Sequence, residues 1–272
     1  MDTSQKMIIT GMHRSATSFA ANLLGACGLD IGPELAGATP SNKLGHFEDK
    51  EILEFHEALL KYNETTMYAG LDDVITYNKD HLEQARFMIS HRDDGNTQWG
   101  WKQPRACLFL KFWRTVMPDA RYLFVYRDHQ ETVSSLYNRE YNKIELRNPS
   151  ELVSGLQQKF KENKNEICST YLSMWLRHNQ DILEHIDSIR EVDYLLITAN
   201  DLLDYHKQII SHLIDQWAFS LQSVDPSKIF EPAMTNSRQV QYEAPALEEQ
   251  AEKMEQRLEL LHKSVLRRLS VN

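Results

Sequence analysis

Four short apolar runs, separated by stretches long enough for helices, constrain the fold of this chain more than any other feature. They are Lys6–Thr10, Gln98–Lys102, Arg121–Tyr126 and Asp193–Thr198. Each is apolar along most of its length rather than alternating, which is typical of strands covered on both faces. Strands that alternate with helices predict an α/β fold in three layers, with a parallel sheet of four to five strands between helices. Ligands of such sheets bind at the carboxyl ends of the strands, so residues that directly follow a strand are the candidates for a site.

The predicted helices lie between and after these strands. Nine of the ten glycines fall within residues 1–100 and none follows Gly155, so the rest of the chain is expected to be mostly helical. Helical patterns cover Ser18–Cys27, Asp49–Tyr62, Lys79–His91, Arg105–Met117, Gln130–Tyr141, Ser150–His185 and Ala199–Phe219. A last helix, over residues 245–270, carries apolar residues at alternating spacings of three and four. That seam predicts packing on the body of the chain or on a second copy in a homodimer.

Length, charge and cysteine usage narrow the class of protein. The 272 residues predict a single domain over residues 1–272. A net charge of −9, from 30 Lys+Arg and 39 Asp+Glu, disfavours nucleic acid as a partner, because that binding needs a basic surface. Three cysteines without a CxxC pair are typical of a reducing compartment. No apolar stretch is long enough for a secretory signal or a membrane span, so we expect a cytoplasmic protein.

The loop Gly11–Ser18 (GMHRSATS) lies between the first strand and the first helix. This arrangement offers backbone N–H groups and a helix N-terminus to an anion. Compared with the Walker A pattern GxxxxGK[ST], the loop has Ala16 at the second glycine and Thr17 at the lysine, although Arg14 supplies a cation. The loss of the lysine weakens an ATP or GTP interpretation. The alternative without a ligand is that Gly11 forms a turn and Ser15 caps the helix.

Two further strand ends carry cations. Arg127 follows the third strand, and Ser135 lies about two helical turns beyond it. An arginine with a serine hydroxyl is suited to binding a phosphate monoester. Lys102 ends the second strand, directly before Gln103 and Pro104, where its ammonium can act as a point charge on a transferring group. The sequence therefore predicts a small cationic crevice in an acidic protein, since a polyanion responds to the local field.

Together and in this order, the segments resemble the sulfotransferases that use 3′-phosphoadenosine 5′-phosphosulfate (PAPS). GMHRSATS is similar to the family's 5′-phosphosulfate loop, residues 127–135 to its 3′-phosphate site, and WKQPR to a lysine segment of the carbohydrate and tyrosyl-protein branches. Residues 193–221 resemble the late strand-and-helix unit of the family, and the resemblance spans Met7 to Phe219. The chain departs from the family at Ala16, which stands at a usual glycine. It also has no late glycine-rich loop over the nucleotide, for which Asn236-Ser237-Arg238 is a weak substitute.

The resemblance implies roles for individual residues. Arg14 would offset charge as 3′-phosphoadenosine 5′-phosphate (PAP) leaves, and Lys102 would stabilise the sulfuryl group. The donor would be bound by the loop and by the 3′-phosphate site, that is by Arg14, Ser15, Ala16, Thr17, Ser18, Arg127 and Ser135. No metal is expected, since the sequence has neither HExxH nor a zinc spacing of cysteines.

Residues 41–49 (SNKLGHFED) resemble the family's NxxGxxE stretch, in which the glutamate takes the proton of the acceptor hydroxyl. Glu48 is therefore the first candidate for the base and His46 the second. The alternative for Glu48 is a first-turn carboxylate that stabilises a helix N-terminus. Five aromatic residues are candidates for an acceptor wall, although aromatic residues more often form core: Phe47, Tyr62, Tyr68, Tyr77 and Trp99.

The reaction predicted from this resemblance is transfer of a sulfuryl group from PAPS to a hydroxyl of a carbohydrate, lipid or small metabolite. Two other functions stay open: a P-loop kinase of small molecules using ATP, and a non-catalytic nucleotide-binding protein of the same fold. The net charge favours an acceptor that is small or neutral.

Overall fold

The sheet at the centre of the fold has four parallel strands. The computed structural model describes residues 4–37, 45–230 and 238–270. The strands are β1 (Gln5–Thr10), β2 (Gln98–Lys102), β3 (Arg121–Val125) and β4 (Tyr194–Ile197), in the order β2-β1-β3-β4. Ile9 of β1 pairs with Lys102 on one side and with Leu123 on the other. The predicted parallel α/β sheet is thereby confirmed, and the ends of all four strands lie along one edge.

Helices flank this sheet, so that the fold has three layers with the sheet in the middle. They are α1 (Thr17–Ala26), α2 (Lys50–Tyr62), α3 (Lys79–Asp93), α4 (Leu110–Val116), α5 (His129–Arg147), α6 (Ser150–Glu162), α7 (Lys164–Ile186), α8 (Ala199–Asp204), α9 (His206–Asp215) and α10 (Pro245–Ser270). Nearly every strand residue is buried, and α1 packs on β1 and β2 while α10 packs on β4. The core is therefore built around the strands, as their continuous apolar runs predict.

Three helix predictions need correction. The predicted helix Ser150–His185 is two helices that meet at Asn163, where the backbone leaves helical geometry with a ψ of 18°. The Asn163 N–H and side-chain amide both donate to the Lys159 carbonyl, a bond typical of asparagine at helix ends. The predicted helix Ala199–Phe219 is likewise interrupted, at Tyr205, and ends at Asp215. The segment predicted as helix Arg105–Met117 begins as a 3₁₀ helix over Pro104–Phe109, before α4.

The long helix α10 packs against its own chain. The helix contacts α7, β4 and α9. Its buried residues recur at spacings of seven and four: Ala251, Leu258, Val265 and Leu269. Arg268 donates from Nη1 to the Glu191 carbonyl and from Nη2 to the Tyr194 carbonyl. These bonds hold the last turn of α10 against the start of β4. A dimer contact through this helix stays a prediction. Within the described ranges, no helix combines the length and the apolar character needed to cross a membrane.

Candidate functional site

The loop after β1 brings backbone and hydroxyl groups to the edge of the sheet. Gly11 is required there, because a Cβ at this position would lie 1.9 Å from the Val125 carbonyl oxygen of β3. Arg14 and Ala16 adopt left-handed backbone conformations, with φ of 73° and 69°. Ala16 is the residue that precedes α1, and no side chain caps the helix in the described chain. The helix N-terminus therefore opens toward the loop, as in anion-binding loops.

Ser15 does not cap α1, contrary to the interpretation that needs no ligand. Its N–H donates to the Met12 carbonyl at 3.2 Å, and its buried Oγ meets no hydrogen-bond partner among the residues described. The Ser15 hydroxyl, rather than the Ser15 N–H, is therefore the group that could bind a ligand. A buried hydroxyl without a partner, at the start of a helix, is suited to a ligand that accepts hydrogen bonds.

An arginine cluster lies on one side of the loop and consists of Arg14, Arg127 and Ser135. Arg14 Nε donates to Ser135 Oγ at 2.9 Å, and Arg127 Nη1 donates to the Arg14 carbonyl at 3.3 Å. Arg127 also forms an ion pair with Glu131, at 2.7 Å. Burial lowers the pKa of Arg14 to about 10, and the neighbouring charges of Arg139 and Arg127 add to that effect. The structure thus brings the three predicted residues together with an excess of positive charge.

A glutamate cluster lies on the other side of the loop and consists of Glu48, Lys102, Gln103 and Arg105. Lys102 Nζ donates to Glu48 Oε1 at 2.9 Å, and Gln103 Nε2 donates to Oε2 at 3.2 Å. Arg105 Nη1 lies 3.5 Å from the same Oε2. Both Lys102 and Glu48 are buried. The carboxylate is thus held by two cations and an amide at the carboxyl end of β2.

Glu48 is not the carboxylate that stabilises the start of α2. That role belongs to Asp49, whose side chain accepts from the Ile52 N–H at 3.1 Å and forms an ion pair with Arg92. The chain reaches Glu48 through Phe47, which has a left-handed backbone with φ of 51°. This turn directs consecutive carboxylates to different partners, and it leaves Glu48 facing Lys102.

The charges around Glu48 decide its protonation. Burial alone raises the pKa of a carboxyl, but the charge and hydrogen bond of Lys102, with the charge of Arg105, hold the pKa of Glu48 below its ordinary range. Burial lowers the pKa of Lys102, although Glu48 opposes that change. Glu48 is therefore a carboxylate near neutral pH.

Ser18 connects the loop with the glutamate cluster. Lys102 Nζ donates to its Oγ at 3.3 Å, and that hydroxyl donates to the His46 carbonyl at 3.1 Å. His46 is half-buried, and burial lowers its pKa. Thr17 is buried at the first position of α1. The loop thus separates the two clusters, with Arg14 toward one and Ser18 toward the other.

A cavity of about 410 Å³ opens beside the arginine cluster. Its walls come from the loop, from the ends of β3 and β4, and from α10, and include Ser15, Ala16, Arg127, Thr198, Asn200, Glu255 and Glu259. The volume is within the range of sites for small ligands. Because α10 contributes carboxylates, the side of the cavity away from the arginines favours groups that donate hydrogen bonds.

Three side chains near the candidate site have no role predicted from the sequence: Gln103, Arg105 and Arg139. Gln103 and Arg105 directly follow Lys102, so the strand-end rule that selected the lysine also applies to them. Arg139 lies four residues after Ser135, a spacing that puts both on one face of α5. His13, between the clusters, has a pKa well below its ordinary value because it is buried. Its Nε2 is buried and is without a hydrogen-bond partner in the part of the chain that the structure describes.

Other candidates lie elsewhere or outside the described residues. Trp99 is buried beneath Arg92 and donates to Asp93. Tyr77 packs on Phe112 and Tyr62 on His81, whereas Tyr68 packs on Tyr171 near α5. Asn42, Asn236 and Ser237 fall outside the described residues. In the ranges 4–37, 45–230 and 238–270, no group of three or more His, Cys, Asp or Glu is arranged to hold a metal ion.

A loop that follows β1, flanked by an arginine–serine pair on one side and by a lysine on the other, is the arrangement that the resemblance implies for a sulfotransferase. A family model described as "Sulfotransferase family" matches residues 7–218. The chain belongs to the sulfotransferase family. The match spans β1 to the residues after α9, and so includes both clusters.

Solved structures of sulfotransferases are similar to this chain. The sulfotransferase domain from the curacin biosynthetic pathway superposes with a TM-score of 0.54 at 12% identity, over 94% of this chain and 98% of that one. The sulfotransferase domain of the Synechococcus PCC 7002 olefin synthase gives 0.47 at 13% identity, over 97% and 95%. Sulfotransferase STF1 from Mycobacterium tuberculosis H37Rv gives 0.48 at 14% identity, over 94% and 76%. No curated protein matches the sequence.

Proposed function

We propose that this sulfotransferase takes the sulfuryl group from PAPS and transfers it to a hydroxyl of a carbohydrate, lipid or small metabolite. The observation on which this rests is the position of the loop between the arginine cluster and the glutamate cluster. One side supplies guanidinium groups for phosphate, and the other supplies a lysine and a carboxylate for transfer.

The donor fits the residues around the loop. Its 3′-phosphate would be held by Arg127 and Ser135, and its phosphosulfate by the loop residues from Arg14 to Ser18. The buried, unpartnered Ser15 hydroxyl and the open N-terminus of α1 support this side of the assignment within the described chain. The adenosine would occupy the cavity beside α10, where Asn200, Glu255 and Glu259 accept hydrogen bonds from its amino and hydroxyl groups.

The donor supplies an activated sulfuryl group with PAP as the leaving group. Glu48 would accept the hydroxyl proton as the acceptor oxygen forms its bond to sulfur. Lys102 would stabilise the charge on the sulfuryl oxygens, and Arg14 would offset the charge that develops on the 5′-phosphate as the S–O bond breaks. The protein thereby contributes positioning and fixed charge, which are the main terms in the transfer of a highly charged group.

Calorimetric titration tests the donor assignment. PAP and adenosine 5′-monophosphate differ only in the 3′-phosphate, so we expect PAP to bind at least about tenfold more tightly, and ATP to bind no better than the monophosphate. Arg127→Ala should remove most of the preference for PAP. Equal affinities for PAP and the monophosphate would exclude a 3′-phosphate site, and tighter binding of ATP with Mg²⁺ would favour a kinase.

Transfer is tested separately, with labelled PAPS and a panel of hydroxyl acceptors. Sulfated product would support the enzyme, whereas tight PAP binding without transfer to any acceptor would favour a nucleotide-binding protein of the same fold. The cytoplasmic location, the absence of nucleic acid as a partner and the homodimer remain predictions of the sequence.

A further inference from the structure

The wall of the proposed donor cavity carries more negative than positive charge. Its lining residues include one cation, Arg127, and four carboxylates: Asp128, Glu131, Glu255 and Glu259. Glu131 forms an ion pair with Arg127, at 2.7 Å. The remaining carboxylates repel a nucleotide that carries several phosphate charges, unless other groups neutralise them.

One of these carboxylates is paired with a histidine. His129, the first residue of α5, has its Nδ1 at 2.6 Å from Oε2 of Glu255 on α10. The two side chains are 15% and 20% exposed, so the contact is largely shielded from water. At this distance a protonated imidazole cancels the charge of the carboxylate, whereas a neutral imidazole donates a hydrogen bond and leaves that charge in place.

The groups that face His129 favour its protonated form. Besides Glu255, they are the carboxylates of Asp128, which precedes it in the chain, and of Glu252, one turn before Glu255 on α10. From α7 the contact is the ring of Trp175, at a centroid distance of 5.7 Å. Burial alone lowers the pKa of His129, but the hydrogen bond and charge of Glu255, with the charges of Asp128 and Glu252, raise it above 6.5. The imidazole therefore gives up its proton at a higher pH than an ordinary histidine.

His129 is also joined to the arginine cluster, through Trp175. The indole Nε1 donates to the Arg127 carbonyl at 2.9 Å, while the indole ring packs against the imidazole. Arg127 in turn donates from Nη1 to the Arg14 carbonyl, at 3.3 Å. The imidazole thus contacts the cavity wall through Glu255 and the indole that holds the backbone of Arg127. Its charge acts directly on the proposed donor site.

We propose that His129 is a positioning residue for the donor and that its protonated form is the one that binds. Paired with Glu255, the imidazolium removes one negative charge from the cavity wall and holds the carboxylate in place. When the proton is lost to solvent, the wall regains that charge and the affinity for the polyanionic nucleotide falls. The inference rests on the proposed function and adds a regulation of the same site by pH.

Binding of the donor and protonation of His129 strengthen each other, because linkage between two sites is reciprocal. A bound anion raises the pKa of His129 further, so the nucleotide takes up a proton from solvent when it binds above the pKa of the free protein. Each unit of that rise corresponds to a tenfold loss of affinity across the titration. The loss begins above neutral pH and ends once the bound form has also lost its proton.

Calorimetric titration of the intact protein with PAP at pH 7, 8 and 9 tests the inference. This range lies above the second pKa of a phosphate monoester, about 6, so the charge of PAP stays nearly constant. We expect Kd to rise at least about fivefold from pH 7 to pH 9, and the heats in buffers of different ionisation enthalpy to show proton uptake. If PAP binds with the same Kd and no proton uptake throughout, the inference is wrong while the donor assignment stands. If PAP does not bind at any pH, the proposed function itself has failed.

Two substitutions assign the effect to the pair. His129→Gln keeps a hydrogen bond to Glu255 but cannot take a proton, so PAP should bind as weakly at pH 7 as it binds to the wild type at pH 9. Glu255→Gln removes the charge itself, so PAP should bind more tightly at pH 9 than to the wild type. Both variants should lose the proton uptake. In transfer assays at pH 7, His129→Gln should raise the KM for PAPS and leave kcat within about twofold.

His262→Gln is the matched control. His262 also has a side chain that is 15% exposed, and it pairs with the carboxylate of Asp201 on α8, at 2.7 Å. This variant should keep the wild-type dependence of Kd on pH. If His129→Gln keeps that dependence, or if His262→Gln loses it, His129 is not the group that controls donor binding.

Discussion

Lys102 and Glu48 form a buried ion pair in which the ammonium Nζ donates to Oε1 at 2.9 Å. In the proposed reaction both groups are needed elsewhere, because Lys102 stabilises the sulfuryl oxygens and Glu48 takes a proton. Gln103 and Arg105 also contact the carboxylate, at 3.2 Å and 3.5 Å. As Lys102 turns toward the sulfuryl group, these two residues would keep Glu48 in place and its pKa would rise, which favours proton uptake.

Glu48→Gln separates binding from transfer. The amide keeps the shape of the side chain but cannot take a proton, so we expect kcat to fall at least about 100-fold while the Kd for PAP stays within about twofold. Single-turnover transfer from labelled PAPS and calorimetry give the two quantities. Thermal unfolding of the variant should be measured as well, because removing one partner of a buried ion pair typically destabilises a protein by about 3–5 kcal/mol.

His46→Gln is the matched control for this experiment. His46 lies two residues before Glu48, and its carbonyl rather than its ring receives the Ser18 hydroxyl, so the backbone contact survives the substitution. We expect kcat to change by less than about tenfold. Full activity in Glu48→Gln together with a large loss in His46→Gln would assign the base to the imidazole.

The pH dependence of transfer gives an independent test. Lys102 and Arg105 outweigh burial and hold the pKa of Glu48 below 4.5, so the basic form persists as the pH falls from 8 to 5. The pH profile of kcat/KM for PAPS, which reports the free enzyme, should therefore show no acid limb above pH 5 that belongs to the base. If His46 is the base, a limb appears below pH 6.5, since burial lowers its pKa from that value, and the limb disappears in His46→Gln.

The positions of the strands could be predicted from the sequence because a strand buried on both faces carries a continuous apolar signature. The start of β2 at Gln98 and its end at Lys102 agree with the prediction, and β4 is shorter by one residue at each end. The break at Asn163 had no comparable signal, since neither proline nor glycine marks it. It coincides with an asparagine whose side-chain amide joins its own N–H on the Lys159 carbonyl, a local contact that the apolar pattern does not report.

From the sequence, residues of the candidate site could be predicted only where they lie at or just after the end of a strand. Arg14, Lys102 and Arg127 each lie at or just after a strand end, and the parallel sheet brings those ends to one edge. The pairing of Lys102 with Glu48 joins residues 54 apart, and that of Arg14 with Ser135 joins residues 121 apart. Such contacts depend on the packing of the loop and α5 rather than on local pattern, which is why Arg139 was missed.

Ala16 offers a test of strain in the loop. Its φ of 69° costs an alanine about 1–2 kcal/mol, whereas glycine adopts this region freely. Ala16→Gly also raises the conformational entropy of the unfolded chain, which costs about 0.4–1 kcal/mol, so the net change in the free energy of unfolding should lie between zero and about +1.6 kcal/mol. Ala20→Gly, inside α1, is the control and should destabilise by about 1 kcal/mol or more, as measured by urea unfolding. A clear loss of stability in Ala16→Gly would show that the loop does not store this strain.

His185 is expected to make the fold sensitive to acid. It is buried against Tyr122, and neither ring nitrogen has a hydrogen-bond partner in the described residues. Burial lowers its pKa to about 4, from 6.5 in the unfolded chain. Between these values the unfolded state binds more protons, so the free energy of unfolding is unaffected above pH 6.5 and falls as the pH drops toward 4.

The size of this effect follows from the two pKa values. Between pH 6.5 and pH 5, His185 should account for a loss of about 2 kcal/mol, since one pH unit in this window corresponds to about 1.4 kcal/mol. His185→Phe keeps the ring packing and removes the titrating group, so its unfolding free energy should fall by that much less over the same interval. His91→Gln, which removes an exposed histidine, should leave the wild-type slope unchanged. Urea unfolding at pH 7, 6 and 5 measures all three proteins, and an identical slope in His185→Phe would mean that this histidine does not titrate with unfolding.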